Sequence, residues 1–371
     1  MSEYLKKRFI PKYRPVFIVG YRRSGTTLLR NVLHSHPEIA VVSESHFIAH
    51  FYDTIELYGD LNDDKNLVRL ATDIISTRRY KGRNVDTVID DAFVRRVYPK
   101  NLRSVLQVLY EEYSAKFGKT RWGDKTPYFL YRIPMLLDLF PNCRIIHVVR
   151  DPRAAIWSQI KAFSEYDVYQ NATKWVEGML KFDDAKSEMA EDQFLEVKYE
   201  DLVRNPANTL ASICNFALLE YDDQILHYYD FIEDDIGHAK SSLHLKPISI
   251  RHIDTWKSSL SKKDILRIES SAGRFMRIYG YELINDDNEE LAESILKKAL
   301  YKTISYCKTK CNLYNFVRGV LSLFFRFLSK IGVVLISFDR TQSIGAYILR
   351  KRIRCAVFDK PREKKTQIKQ Q

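Results

Sequence analysis

Three short apolar runs stand out along the chain: Val16–Val19, Ile39–Val42 and Ile145–Val149. They are rich in β-branched residues and show no polar alternation, the pattern of strands covered on both faces. A fourth stretch, Phe194–Leu202, reads as a strand turning into a helix. Between these runs apolar positions recur every three or four residues, as at Leu28, Leu29, Val32 and Leu33, near Val88–Val97 and Leu102–Tyr113, and along Asn171–Met189. A helix is also expected from Thr126 through Leu139, and another over Ser261–Tyr279 with Ser261 as its cap. Strands that alternate with helices predict an α/β fold: three layers around a central parallel sheet, in residues 1–285.

The turn after the first strand carries the first candidate chemistry. Gly20 to Gly25 convert the strand into a helix, so the backbone N–H groups of Ser24, Gly25, Thr26 and Thr27 open the first turn without internal partners. The helix dipole adds roughly half a positive charge there, and an anion belongs in that loop. A nucleotide-kinase loop would carry a lysine directly after its second glycine, where this chain has Thr26. The cations come earlier, at Arg22 and Arg23, with the hydroxyls of Ser24, Thr26 and Thr27 around them. The loop resembles the 5′-phosphosulfate loop of sulfotransferases that use 3′-phosphoadenosine 5′-phosphosulfate (PAPS). The resemblance implies a P-loop-like fold in which Arg23 stabilises the oxygen bridging phosphate and sulfate.

A second segment, Arg144–Ser158, has the matching order. Its strand ends before Arg150, Asp151 is placed to cap a helix and Pro152 to start it, and Ser158 follows two turns along on the crevice side. Ligands of doubly wound sheets collect at this carboxyl edge. The segment is similar to the 3′-phosphate-binding element of sulfotransferases, which implies that Arg150 and Ser158 hold that phosphate.

Three further places fit the same reading. Glu44 falls just beyond the second strand, on the loop edge, where a carboxylate suits proton transfer from an attacking hydroxyl rather than anion binding. Its spacing from Arg23 looks like that of tyrosylprotein sulfotransferases, whose matching Glu is the base. His46 is the alternative base, because imidazole titrates near neutrality, and a salt bridge to Arg22 or Arg23 is the structural alternative for Glu44. Lys125 precedes the helix expected at Thr126, an odd place for a cation without a bound anion. The segment Arg121–Pro127 resembles an element of bacterial sulfotransferases in which the matching lysine stabilises the transferred group. Tyr199 matches a family position near the nucleotide, and Arg251, with Lys257 behind it, stands near where relatives close over the 3′-phosphate.

Composition changes the picture in one respect. The net charge is +12 over 371 residues, yet residues 286–371 hold 18 Lys and Arg against 8 Asp and Glu, which accounts for ten of those charges. Basicity belongs to the tail, so nucleic acid is not an expected partner. Within that tail Asn315–Phe338 gathers its polar residues into one arc of roughly 120°, with Arg326 and Lys330 interrupting any spanning run. A C-terminal helical appendage is expected, lying in a membrane interface or docked on the domain or a partner, with the basic run Arg350–Arg354 suited to anionic lipid heads. Five cysteines without paired spacing favour a reducing compartment over a disulfide framework or zinc site. Met1–Tyr13 is too charged for a signal-peptide core, so a cytoplasmic location, peripheral on the inner face of a membrane, is the expectation.

The reaction expected from the resemblance is metal-free transfer of a sulfuryl group from PAPS to an acceptor hydroxyl, with a glycan or lipid-linked saccharide as the acceptor. A P-loop-type kinase and a non-catalytic nucleotide-binding scaffold are the alternatives. Nothing in the sequence sets an oligomeric state.

Overall fold

A computed structural model describes residues 14–163, 167–231 and 246–284. The expected tail helix over Asn315–Phe338, the basic run Arg350–Arg354 and the opening Met1–Tyr13 lie outside the described residues.

Five strands form one parallel sheet: β1 (Val16–Gly20), β2 (Ile39–Ser43), β3 (Arg121–Lys125), β4 (Arg144–Val149) and β5 (Phe194–Lys198). Their order is β2-β3-β1-β4-β5, so β1 is central and the chain reverses its direction of growth between β1 and β4. All four neighbouring pairs are parallel, with Val16 opposite Gly123 on one side and Arg144 on the other. Twelve α-helices connect and cover the strands among the described residues: α1 (Thr26–Ser35), α2 (Phe47–Thr54), α3 (Asp64–Ser76), α4 (Arg78–Lys81), α5 (Asp91–Arg96), α6 (Leu102–Lys116), α7 (Ile133–Leu139), α8 (Pro152–Phe163), α9 (Val168–Lys186), α10 (Tyr199–Arg204), α11 (Pro206–Ala217) and α12 (Lys262–Ile278).

Alternate strand residues feed two cores, which is why the strands read as continuous apolar runs. Val16, Ile18, Ile39, Val41, Ile146 and Val148 pack with Leu29, Val32 and Leu33 of α1 and with α10 and α11. Phe17, Val19, Ala40, Val42 and Ile145 pack on the other side against the larger set of helices that includes α6, α7 and α9. Sheet and two helical layers make the three-layer α/β fold. The caps follow the sequence: Asp151 accepts from the Arg153 N–H at 2.8 Å at the start of α8, and Ser261 accepts from the Asp264 N–H at 3.1 Å at the start of α12.

Two elements differ from expectation. β3 has no apolar run, because its buried polar side chains bond to neighbouring elements of the fold. The Arg121 guanidinium donates to the carbonyls of Ala217 and Leu218 at the end of α11, and the Asp124 carboxylate accepts from the Tyr110 hydroxyl and the Thr126 hydroxyl, each at 2.7 Å. The helix expected from Thr126 to Leu139 is instead a 3₁₀ turn, Pro127–Tyr131, followed by α7. Pro134 explains the break, since it has no N–H to continue the ladder and its ring crowds the preceding turn. Lys125 therefore ends a strand.

Candidate active site

Most of the candidate residues lie at the carboxyl ends of the strands: Arg22–Thr27 after β1, Glu44 after β2, Lys125 at the end of β3, Arg150 after β4 and Tyr199 after β5. After β1 the chain turns through Arg23 (φ 66°) and Gly25 (φ 92°), both left-handed. Gly25 is required there: beyond its φ, a Cβ at this position would stand 2.4 Å from the Tyr199 ring. It is also the N-cap of α1 and offers no side chain, so the first-turn N–H groups of that helix, including those of Thr26 and the partly buried Thr27, have no side-chain cap.

Beside them the Ser24 Oγ is fully buried and has no hydrogen-bond partner among the described residues. Buried hydroxyls are rarely left in that condition, because an unmet donor or acceptor costs about 1–3 kcal/mol. Arg150, just past β4, repeats the feature: its side chain is buried and its Nε is unpartnered among the described residues. Its other nitrogens reach across the edge. Nη1 donates to the carbonyl of Arg23 at 2.8 Å and Nη2 to the carbonyl of His252 at 2.6 Å, while the guanidinium lies 4.2 Å from the centre of the Tyr199 ring.

Arg23 is exposed at the outer side of the loop, where its Nε donates to the Ser158 Oγ at 3.1 Å. Desolvation and the like charge of Arg150 push its guanidinium below the ordinary arginine range. Two cations held this close, each bonded here to neutral oxygens, an orphaned hydroxyl and a bare helix N-terminus suit an anionic nucleotide with phosphate at both ends. Arg22 is exposed, its guanidinium 5.9 Å from the Phe163 ring. Arg251 is exposed in the turn Ile250–His252, and the link from that turn to Arg150 is the His252 carbonyl rather than the Arg251 side chain.

Across β1, the ends of β2 and β3 form the second half of the site. Glu44 is left-handed at φ 48°, and its N–H donates to the Lys125 carbonyl at 2.7 Å. Its carboxylate meets three basic groups: Lys125 Nζ at 3.2 Å on Oε1, and Arg79 Nη1 at 3.2 Å and His46 Nε2 at 3.5 Å on Oε2. The contacts with His46 and Lys125 outweigh partial burial and hold Glu44 well below the usual carboxylate range. Lys125 is only 2% exposed, and burial draws its ammonium down from the ordinary lysine value despite the pull of Glu44 in the other direction.

The salt-bridge partners that sequence reasoning offered for Glu44, Arg22 and Arg23, are thus replaced by Lys125 and Arg79. Arg79 lies 35 residues from Glu44 and carried no spacing signal. The support under Lys125, in which Asp124 is held by Tyr110 and Thr126, was equally silent. Among the described residues there is no cluster of three or more His, Cys, Asp and Glu side chains suited to a metal, and no helix long and apolar enough to cross a membrane.

A profile described as the sulfotransferase family matches residues 15–223. Among curated proteins, a putative protein-tyrosine sulfotransferase of Caenorhabditis briggsae is 25% identical over 279 residues, which cover 72% of this chain and 89% of that protein. Protein-tyrosine sulfotransferase A of Caenorhabditis elegans is 24% identical over 277 residues, covering 72% of this chain and 67% of that protein. Among solved structures, the sulfotransferase domain from the curacin biosynthetic pathway superposes with a TM-score of 0.52 at 21% identity, covering 73% of this chain and all but 1% of that one, since 99% of it is matched. That likeness is one of fold.

Proposed function

The chain belongs to the sulfotransferase family, enzymes that draw on PAPS as donor, and we propose that it moves the sulfuryl group to a hydroxyl of a saccharide, free or lipid-linked. In this reading the first-turn N–H groups of α1, with Ser24, Gly25, Thr26 and Thr27, hold the 5′ end of the donor, and Arg22 stands at the entrance. Arg150 and Ser158 hold the 3′-phosphate, Tyr199 underlies it and Arg251 adds a contact from the neighbouring turn. Arg23 offsets charge on the bridging oxygen, Lys125 offsets charge on the transferred group, and Glu44 accepts the acceptor proton. Bound PAPS supplies the sulfuryl group and a stable leaving phosphate. By analogy with phosphoryl transfer, the protein's part is positioning and charge stabilisation rather than covalent participation.

The observation that carries the reading is the tie between the two anion-binding loops, the 2.8 Å bond from Arg150 to the Arg23 carbonyl. A P-loop kinase needs no guanidinium fixed at that distance from its phosphate loop, whereas a donor phosphorylated at both ends does.

A saccharide acceptor fits an enzyme whose residues 286–371 hold it against a membrane surface, the role we assign to that basic tail as a region distinct from the catalytic domain of residues 1–285. A tyrosyl hydroxyl is the second reading. The names of the relatives favour it, and so does chemistry: a carboxylate held as low as Glu44 is a weak base, better matched to a phenol of pKa near 10 than to an alkyl hydroxyl. Incubating the full chain with sulfur-labelled PAPS and separate pools of glycans, lipid-linked saccharides and tyrosyl peptides distinguishes the two. Label in a saccharide pool supports the first reading, and label in peptides alone replaces it with the second. No label in any pool, together with transfer of γ-phosphate from ATP, overturns the sulfotransferase reading.

A further inference from the structure

The chain leaving β2 places two titratable side chains side by side, with Glu44 Oε2 3.5 Å from His46 Nε2. Resting on the sulfotransferase reading, we propose that His46 is the second station of a two-group proton relay, receiving at Nε2 the proton that Glu44 takes from the acceptor hydroxyl. As the acceptor oxygen bonds to sulfur, its O–H bond breaks and the proton passes to Glu44. The bond from sulfur to the donor's bridging oxygen breaks at the same time, and its electron pair leaves with the 5′-phosphate. The proton then crosses from Glu44 Oε2 to His46 Nε2, and from there to water.

Three features of the site favour such a second station. A carboxylate contacted by the cations of Lys125 and Arg79, each at 3.2 Å, is a poor place for a proton to stay. Arginine and lysine carry their full complement of protons, whereas an imidazole in its Nδ1–H tautomer turns an unprotonated Nε2 toward Glu44 Oε2. Solvent reaches His46, whose side chain is 34% exposed, and Arg79 at 38%, while Lys125 at 2% is closed off; of the two open groups only the imidazole can take up a proton. A proton handed to His46 can leave, whereas the floor of the site is closed.

The pair is also fixed in place. The left-handed turn at Glu44 is strained for a non-glycine residue, and it is held by the Glu44 N–H on the Lys125 carbonyl and by the Ser45 N–H on the Thr126 hydroxyl, each at 2.7 Å. Directly after His46, Phe47 and Ile48 anchor α2 in the core, and the Tyr128 ring flanks the imidazole at 6.0 Å between centres. Among the described residues, Glu44 and the Tyr128 ring lie against His46, Glu44 in turn carries Lys125 from β3 and Arg79 from α4, and His50 follows His46 one turn along α2.

The test follows PAPS cleavage with water as acceptor, by release of the 3′,5′-bisphosphate PAP from the full chain across about pH 5 to 9. It compares wild type with His46→Gln and His46→Ala, with and without added imidazole, and measures PAP affinity by calorimetry alongside. The relay predicts unchanged PAP affinity, a fall in kcat of about 10²-fold in both variants, loss of the acid-side inflection in the kcat profile, and recovery of His46→Ala in proportion to free-base imidazole. Variants within about threefold of wild type overturn the relay, as does a loss that leaves the pH profile unchanged and ignores imidazole, since that marks a packing role; the factor of three is well short of a general-base contribution. Failure of the wild-type chain to bind PAP at all overturns the sulfotransferase reading itself, and the relay with it.

Discussion

The carbonyl of Arg23 accepts a hydrogen bond from Arg150 Nη1 at 2.8 Å, joining the loop after β1 to the end of β4. These strands are the neighbours between which the sheet changes direction of growth, the place where open α/β sheets leave a crevice between diverging loops. One guanidinium thereby fixes the backbone of one anion loop while its Nε remains unpartnered among the described residues. Under the proposed function, a change at Arg150 would be felt at both ends of the donor.

Glu44→Gln should lower sulfate transfer by about 10²- to 10⁴-fold while leaving PAP affinity within about twofold of wild type, because the amide keeps the shape but loses the proton acceptor and the charge that pairs Lys125 and Arg79, both on the acceptor side of the site. Labelled-sulfate transfer and calorimetry on the same preparation check both halves. Retention of more than a tenth of the activity would contradict the role given to this carboxylate.

Gly25→Ala should cost stability and donor affinity together. The left-handed conformation alone costs an L-residue about 1–2 kcal/mol, and the added carbon meets the Tyr199 ring at 2.4 Å. A lowered melting temperature with PAP binding lost is the expected outcome. Adding Tyr199→Ala should recover part of the stability, by removing the collision and not the backbone strain.

Most of the frame was legible in the sequence because its signals are local. β1, β2 and β4 are apolar runs, Asp151 and Ser261 cap the helices that follow them, and the loop residues from Arg22 to Thr27 form one contiguous motif. What escaped depends on partners far along the chain. β3 hides Arg121 and Asp124 inside the fold by bonding them to α11 and α6, and no hydropathy pattern reports that compensation. The Glu44–Lys125 and Glu44–Arg79 pairs span 81 and 35 residues, so each side chain was visible and its neighbour was not.

Arg153 is the buried centre of a charge cluster beside the site. It bonds the Asp151 carboxylate at 2.8 Å and the Glu269 carboxylate at 2.7 Å, and its guanidinium lies 4.0 Å from the Trp256 ring. Arg153→Met would remove the buried cation that the Asp151 and Glu269 carboxylates share. A loss of about 3–5 kcal/mol is expected, read as a lower urea midpoint at unchanged slope. A loss under about 1 kcal/mol, the range of exposed pairs, would show that the cluster is as replaceable as a surface one.

Stability should fall as the pH drops below the ordinary histidine range. His34 is buried, its Nδ1 accepts from the Val41 N–H at 3.0 Å, and burial with nearby Arg30 and Lys119 pushes its pKa down to about 2. The unfolded chain binds this proton near pH 6.5 and the folded chain does not. The histidine's contribution is therefore fully present above about 6.5 and is lost at about 1.4 kcal/mol per pH unit as pH falls below it. Buried His147, also shifted down, acts in the same direction. Urea unfolding at pH 7.5, 6 and 5 should show this slope, and His34→Gln should reduce it; an equal slope in the variant would assign the effect elsewhere.

The central claim is that Arg150 reads a phosphate on the 3′ side of an adenylate whose 5′ end lies in the Arg23 loop. Calorimetric titration with PAP and with AMP, which lacks that phosphate, tests it most directly in wild type and Arg150→Ala. A charge-assisted contact of about 1.5–3 kcal/mol predicts that wild type binds PAP roughly 10- to 100-fold more tightly than AMP, and that the variant binds the two alike. Equal affinities in wild type, or an undiminished preference in Arg150→Ala, would contradict it.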